Sequence, residues 1–434
     1  MVKNCPACGA AMGEKANFCP VCGAKYEEPR ETSAERAFCS KCGQPLSKED
    51  RFCSHCGAPT QPGAQRIDTK NLQDQLKKGF DTVTSKINTL AGEEGDVDIR
   101  FRELFSQVFT KHTIQEREEL FVCGTTLTTP KESEMISEWP KPWLYTRVFL
   151  MFALVFAGLY LIVDKFENAN GIPGVIFVGS LVVPFSFLVF FWEVNVPRNI
   201  NIFDVITTFF VGGVFSLIST LIMYDVLDVG GSGYSGAVFV GIAEEVGKIL
   251  VVAYYINRTN TKYKLNGLLF GASVGAGFAV FETAGYAFRF LVAGGLSTMM
   301  DVLLLRAELS IGGHIIWTAI AGFGLVVAKG EGPLRKEHFM DTRFLTFLGL
   351  VIALHAVWDM PIHFGSDYNL AQWGLTAIGL VVTFTLINSG LKQVSTIAQR
   401  AREAELAASA RETPAEGGTP AAAAAPAGAP EQGS

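Results

Sequence analysis

The stretch Ile172–Trp192, IPGVIFVGSLVVPFSFLVFFW, runs for 21 residues without a charged side chain. About 20 apolar residues in a helix span the hydrocarbon core of a bilayer. Further stretches of this kind lie before and after it, and together they predict an all-α polytopic membrane protein with about eight transmembrane helices. The other seven are Leu144–Val163, Ile202–Tyr224, Gly236–Ile256, Leu265–Phe288, Ser310–Ala328, Phe344–Phe364 and Ala371–Asn388.

The composition of the whole chain agrees with a membrane protein. Of its 434 residues, 49% are hydrophobic and only 18% are charged, and the mean hydropathy is +0.28. These values exclude an ordinary soluble enzyme. The formal net charge is −6, so no overall positive field favours nucleic acid as a partner.

The N-terminal region carries four Cys-x-x-Cys-Gly knuckles in two matched halves. Ten residues separate the two pairs within each half, and four thiolates at this spacing favour tetrahedral zinc. The sequence therefore predicts a small double zinc ribbon over residues 1–60 with two structural zinc ions. The predicted ligands are Cys5, Cys8, Cys19 and Cys22 in the first half and Cys39, Cys42, Cys53 and Cys56 in the second.

These zinc sites have no open coordination position, so we expect a structural role for them and not a catalytic one. Residues 1–60 hold eight Lys/Arg and seven Asp/Glu, and two zinc tetrathiolates bring the region to a net charge of about −3. Binding to a nucleic acid backbone is therefore disfavoured. The ribbons are predicted to recognise an unknown protein partner or to regulate access.

Two segments outside the ribbons and the spans have distinct patterns. Residues 61–140 are predicted to be a cytosolic, amphipathic helical linker, with an apolar stripe from Leu72 to Leu90 that suits helix packing or a membrane surface. Residues 392–434 are charged and then rich in Ala, Pro and Gly, which predicts a disordered tail. The membrane domain is expected to occupy residues 141–391.

The orientation in the membrane follows from the loops between spans. Loops on one side carry eight Lys/Arg and those on the other side carry three. The positive-inside rule then places both termini in the cytosol, in agreement with reduced, metal-binding cysteines. The N-terminus shows no cleavable signal sequence, and we expect a multi-pass protein of the cell membrane.

Several predicted spans contain ionisable residues, which are costly in a bilayer and mark functional sites. The fourth holds Glu244, Glu245 and Lys248; Glu244 and Lys248 are spaced to pair, with Glu245 about 100° around the helix. The fifth span holds Glu282, with Tyr286 one turn on as an expected hydrogen-bond partner.

The next two spans add imidazoles. His314 follows Arg306 near the start of the sixth span, and His355 and Asp359 lie one turn apart in the seventh. All the acidic and imidazole groups fall in the non-cytosolic half of the membrane by helix rise, so they are able to converge on one cavity. Such a cavity is equipped to activate water, either with a glutamate as general base or with a metal bound by histidine and glutamate.

Four of these motifs occur in order on successive spans: Glu244-Glu245-x-x-Lys248, Phe278-x-x-x-Glu282 with Tyr286, Arg306 followed by His314, and His355-x-x-x-Asp359. Residues 200–365 thereby resemble the PrsW family of intramembrane proteases, relatives of the type II CAAX prenyl endopeptidases and the CPBP proteins. The resemblance implies a membrane peptidase that cleaves membrane-tethered proteins near the membrane face.

The resemblance also implies roles for individual residues. It makes Glu244 and Glu245 the water-activating pair, Glu282 a metal ligand or second acid/base, and His314 and His355 metal-binding or oxyanion-stabilising groups. Asp359 is expected to orient His355, with Lys248, Phe278, Tyr286 and Arg306 in support. Glu282, His314 and His355 form the expected site for a catalytic divalent metal, Zn²⁺, if one is used. The prenyl endopeptidases carry His where this chain has Glu282, so their mechanism does not transfer as a whole.

Two other classes of function use the same residues. A transporter or proton-coupled channel needs buried charges, although clustering at one depth and the lack of an evident inverted repeat count against it. A non-catalytic membrane scaffold is the second alternative, in which the ribbons carry the biological activity.

Overall fold

The computed structural model describes residues 2–4, 11–13, 21–22, 37–39, 41–42, 44–46, 53, 55–56, 69–229, 233–362 and 370–412. The chain divides into two compact units, Met1–Lys77 and Lys78–Ser434. In the first unit, β1 (Val2–Asn4) pairs with β2 (Ala11–Gly13), and β3 (Ala37–Phe38) pairs with β4 (Pro45–Leu46); both pairs are antiparallel. One short hairpin thus accompanies each half of the cysteine repeat.

Helices make up nearly all the rest of the described chain. Long helices dominate because apolar runs of this length have no water to satisfy their backbone groups within a membrane. The helices are α1 (Thr69–Leu90), α2 (Phe101–Phe105), α3 (Ile114–Phe121), α4 (Leu144–Asp164), α5 (Ile172–Val194), α6 (Ile202–Thr207), α7 (Gly213–Val226), α8 (Tyr234–Thr259), α9 (Lys264–Leu309), α10 (His314–Lys329), α11 (Thr342–Asp359) and α12 (Leu370–Glu412).

Six helical stretches among the described residues are long and apolar enough to cross a membrane. The all-helical, multi-pass class is thereby confirmed, whereas the count of eight spans stays a prediction. The difference has two sources: α9 and α10 form one continuous stretch, Lys264–Lys329, and α8 is not among the six. Helix α8 is 26 residues long, but it carries the Glu244, Glu245 and Lys248 side chains.

Helix α9 differs from its prediction. It continues beyond Phe288 to Leu309 and bends at Gly295, where φ is +79°, a value that favours glycine. The stripe Gly267, Gly271 and Gly275 faces α10, and a Cβ atom on any of the three would meet backbone atoms of α10. These glycines therefore allow the close approach that fixes α10, and with it His314, against α9.

A polar segment, residues 91–143, packs over one end of the helix bundle. The Lys264 ammonium donates to the Ala91 carbonyl at 2.6 Å, and the Arg147 guanidinium donates to the Val108 carbonyl at 2.6 Å. Lys392 donates to the Asp96 carbonyl at 2.7 Å. Much of the segment predicted as a linker is thus bonded to α4, α9 and α12, and the second unit begins at Lys78.

Helices α4 and α5, which belong to the first two membrane-crossing stretches, are joined by an N-terminal cap. One carboxylate, that of Glu193 near the end of α5, accepts hydrogen bonds from the backbone N–H groups of Trp143, Leu144 and Tyr145 at 2.8 to 2.9 Å. These groups open α4 and have no partner within it. Glu193 is 9% exposed, so α5 supplies the N-terminal cap of α4 from inside the bundle.

Helix α12 overturns part of the predicted tail. It runs unbroken to Glu412, although disorder was predicted from residue 392. Val394, Ile397 and Ala398 are buried in the core, and the Arg402 guanidinium donates to the Ser133 carbonyl at 2.6 Å. Residues 413–434 lie outside the described part of the chain.

Candidate functional site

The predicted membrane residues converge around a cavity of about 820 Å³ between α7, α8, α9, α10, α11 and α12. Glu244, Glu282, His314, His355 and Asp359 all line it, together with the predicted supporting residues Phe278, Tyr286 and Arg306. Glu245 and Lys248 are not part of the lining. They lie behind it, with 1% and 0% of their surfaces exposed.

Helix α8 places three charged groups in contact. The Lys248 ammonium donates to Glu244 Oε2 at 3.1 Å and to Glu245 Oε1 at 2.8 Å. The sequence predicted a pair with Glu244 alone, but the spacing of three residues also brings Glu245 onto the ammonium. One lysine therefore compensates both carboxylates, and it lies 4.1 Å from the centre of the Phe278 ring.

His314 is the first residue of α10, and its two ring nitrogens have different partners. Nδ1 lies 2.8 Å from the Lys248 ammonium, and Nε2 lies 3.1 Å from Glu282 Oε2. Because an ammonium only donates, Nδ1 accepts and the ring proton lies on Nε2, directed to Glu282. The histidine is thus oriented by one carboxylate from α9.

His355 is held in a similar way from α8. Its Nδ1 donates to Glu245 Oε1 at 2.8 Å, and its ring stacks on Trp317 with 4.5 Å between ring centres. Its Nε2 lies 3.3 Å from Asp359 Oδ2. The predicted orienting role of Asp359 stays a prediction, and Glu245 also fixes the ring, at the nitrogen that faces away from the cavity.

Glu282 has a different partner from the one expected. It forms an ion pair with Arg306, whose guanidinium also donates to Thr283 Oγ1 at 3.0 Å. Tyr286 lies against that guanidinium, with the Arg306 carbon 4.4 Å from the ring centre. The bend at Gly295 makes this possible, because it returns the second part of α9 towards the first.

Three groups in this cavity could hold a metal ion: Glu244, His314 and His355 offer donor atoms within 4.8 Å of one another. Glu244 Oε2 lies 3.8 Å from His314 Nδ1 and 3.7 Å from His355 Nε2. One carboxylate and two imidazoles are ligands that zinc accepts, with carboxylates on the outer nitrogens. Zinc on His314 Nδ1 would replace the hydrogen bond that this nitrogen accepts from Lys248. The set differs from the predicted one, since Glu244 takes the place of Glu282, whose contacts are with Arg306 and His314.

Sequence reasoning missed two residues at this site. The Tyr224 hydroxyl, on α7, donates to Glu244 Oε1 at 2.7 Å, and Trp317 packs on both His355 and His314. A tyrosine near the end of an apolar span resembles an interfacial aromatic, and a tryptophan within one resembles ordinary core. No motif in the sequence distinguishes them.

The second group of metal-binding residues lies in the first unit. The thiols of Cys39, Cys42, Cys53 and Cys56 lie within 4.8 Å of one another, as four zinc ligands require. Backbone N–H groups of Lys41 and Cys42 lower the pKa of the Cys39 thiol to about 6, which favours the thiolate. Of the other predicted ligands, Cys22 is exposed, and Cys5, Cys8 and Cys19 lie outside the described residues.

Comparisons with known proteins agree with both regions. Residues 196–389 match the model of the PrsW family intramembrane metalloproteases, and residues 5–57 match the double zinc ribbon. The chain is similar to Protease PrsW of Halalkalibacterium halodurans, at 32% identity over 118 residues, which are 27% of this chain and 48% of that protein. The chain thus spans about half the length of the curated relative it matches.

No solved structure matches the chain. The four motifs, Glu244 to Asp359, all fall within the matched residues 196–389. The resemblance drawn from those motifs is confirmed by the family match, and the double zinc ribbon is confirmed as the N-terminal domain.

Proposed function

We propose that this chain is a multi-pass membrane peptidase that hydrolyses membrane-tethered proteins in the cavity between α8 and α11. The observation that carries the proposal is the arrangement of Glu244, His314 and His355. They line one cavity on three helices, and each histidine has a carboxylate on its far nitrogen. The family match supports the same class of reaction.

Glu244 is the residue that we assign as general base. Its carboxylate lines the cavity, whereas Glu245 does not, and a base has to reach the water that it activates. Tyr224 donates to Oε1, and Oε2, which also accepts from Lys248, is the oxygen nearest the two imidazoles. Glu244 accepts the proton of the attacking water and returns it to the leaving amine.

The remaining residues hold this arrangement. Glu245 orients His355, Glu282 orients His314, and Lys248 offsets the charge of both α8 carboxylates. In this assignment His314 and His355 face the scissile carbonyl. As an alternative to direct base catalysis by Glu244, a zinc ion held by Glu244, His314 and His355 would supply Lewis-acid polarisation of that carbonyl.

The orientation proposed from the loop charges places the cavity near the non-cytosolic face of the cell membrane. Glu244 lies near the middle of α8, His314 begins α10, and Asp359 ends α11. The segment 91–143 lies against the opposite, predicted cytosolic ends, at Lys264 and Lys392. Substrates are then cleaved on the side away from the termini.

The proposal is tested by comparing membrane-protein fragments in cells with wild-type protein and with equal amounts of the Glu244→Gln variant, using mass spectrometry of N-terminal peptides. New termini near membrane faces should appear only with wild type, and they identify substrates. Identical fragment maps would contradict a peptidase and would favour the transporter or scaffold alternatives.

Metal content separates the two proposed zinc sites. We expect the Cys39→Ser, Cys42→Ser variant to lose one equivalent of zinc per chain, because a Cys₄ site does not survive loss of two thiolates. The His314→Ala, His355→Ala variant should lose a different equivalent, which the cysteine variant retains. Elemental analysis of purified protein measures both.

Unchanged zinc in the cysteine variant would contradict the ribbon site, and unchanged zinc in the histidine variant would contradict zinc in the membrane.

For the ribbons we propose a docking role with a protein partner. The cysteine variant should therefore cleave a detergent-solubilised reporter at the wild-type rate while it loses the cellular fragments.

A further inference from the structure

Arg289 also lines the cavity but has no role in the proposed reaction. It lies on α9, seven residues after Glu282, and its side chain is exposed at the cavity wall. Its guanidinium carbon lies 5.5 Å from the centre of the Tyr286 ring, on which Arg306 also packs. The same ring therefore supports two guanidinium groups, one inside the site and one towards its mouth.

Arg289 differs from the other two cations at the cavity, Lys248 and Arg306, because it has no carboxylate partner among the described residues. Arg306 pairs with Glu282, Lys248 pairs with Glu244 and Glu245, and Asp359 lies against His355. Within the described part of the chain, no carboxylate oxygen lies within ion-pair distance of Arg289. A guanidinium is always charged and has five donors, so Arg289 provides an anion-binding position in the cavity wall.

The distance from this position to the reacting groups limits what can occupy it. Seven residues of helix correspond to roughly 10 Å along α9. A peptide bound in an extended conformation advances about 3.3 Å per residue. Glu282 marks the level of His314 on α9, because the two are bonded. A group that contacts Arg289 therefore lies about three residues from a peptide bond held between His314 and Glu244.

We propose that Arg289 is a specificity-determining residue that binds a carboxylate of the substrate, from an Asp or Glu about three residues from the scissile bond. This inference rests on the proposed peptidase function. A carboxylate accepts two parallel hydrogen bonds from the planar guanidinium. Because Arg289 and Tyr286 line the same cavity as Glu244, a substrate bound to Arg289 also reaches Glu244. Neutral segments lack this contact and are cleaved more slowly.

The test uses membrane-tethered reporters, each with one apolar helix and a twelve-residue flank on the non-cytosolic side. One set carries a single Asp moved along the flank, and the matched set carries Asn at the same place. We expect wild-type protein, reconstituted in zwitterionic lipid vesicles, to cleave the best Asp reporter about ten times faster than its Asn counterpart. Mapping of the cut should place the Asp two to four residues from it.

Variants of Arg289 test whether this residue is the source of the preference for Asp over Asn reporters. Arg289→Ala should remove the preference for Asp and leave cleavage of the Asn reporters unchanged, and Arg289→Lys should retain part of the preference. Arg289→Glu should prefer a Lys reporter over an Asp reporter. Lys165→Ala is the matched control, because Lys165 is a cation of the same predicted face that pairs with Asp164 outside the cavity, and it should keep the wild-type preference.

Three results would contradict the inference. Equal cleavage of Asp and Asn reporters by wild type would show that no carboxylate is recognised. Equal slowing of both sets in Arg289→Ala would indicate a lipid phosphate as the ligand, or a structural role, in place of a substrate carboxylate. A wild-type protein that cleaves no reporter beyond the Glu244→Gln background would instead contradict the peptidase function itself, so the two failures are distinguishable.

Discussion

The Glu244→Gln variant should cleave its substrates at least a hundred times more slowly than wild type. General base catalysis contributes about 10²- to 10⁴-fold, and an amide cannot accept the proton of the attacking water. The fold should survive, because Lys248 keeps Glu245 as its partner at 2.8 Å. The measurement is the initial rate on a membrane-tethered reporter at equal protein abundance.

Glu331→Gln is the control, since Glu331 lies exposed in the loop after α10 and should retain full activity. Glu245→Gln provides the sharper contrast. Glu244 can still act as the base in this variant, but the hydrogen bond that orients His355 is weaker. We therefore expect a smaller loss of cleavage rate than for Glu244→Gln. Equal rates for wild type and Glu244→Gln would reject Glu244 as the base, and a larger loss in Glu245→Gln would exchange the two assignments.

The Lys248→Met variant should have the largest effect on stability. Lys248 is 0% exposed and compensates two carboxylates that are themselves buried. Removal of one partner from a buried ion pair costs about 3 to 5 kcal/mol because the remaining charge is left uncompensated. We expect the midpoint of unfolding in denaturing detergent to fall sharply, as measured by loss of helical circular dichroism.

A second variant separates charge from packing. Glu245→Gln, Lys248→Met together leave one carboxylate fewer without a partner, so the double variant should be more stable than Lys248→Met alone. If both variants unfold alike, the lysine acts through its packing on Phe278 and not through its charge. Lys141→Met, which removes a half-exposed lysine near the bundle end, should leave the midpoint within the error of wild type.

The convergence of the charged residues was predictable from the sequence because a bilayer makes unpaired charges costly. Glu244, Glu282, His314 and His355 come from four helices, and burial in a common cavity satisfies them together. Which nitrogen meets which carboxylate was not predictable. Those pairings depend on helix rotation and on the bend at Gly295, which a spacing rule does not contain.

Two polar segments pack on the helix bundle in ways that their composition does not indicate. Residues 392–412 carry many charges, so their composition indicates disorder, yet Val394 and Ile397 continue one apolar face of α12 into the core. Part of the predicted linker is bonded to the bundle through backbone carbonyls such as that of Ala91. Backbone acceptors are present in every sequence, so composition does not reveal that they are used.

The cap that Glu193 provides for α4 has a consequence for biogenesis. The N–H groups of Trp143, Leu144 and Tyr145 are made about 50 residues before the carboxylate that accepts them. Until α5 has been synthesised, these donors depend on water for their hydrogen bonds. We therefore expect α4 to acquire its N-terminal cap only when α5 is complete, so that the two helices reach their final packing as a pair.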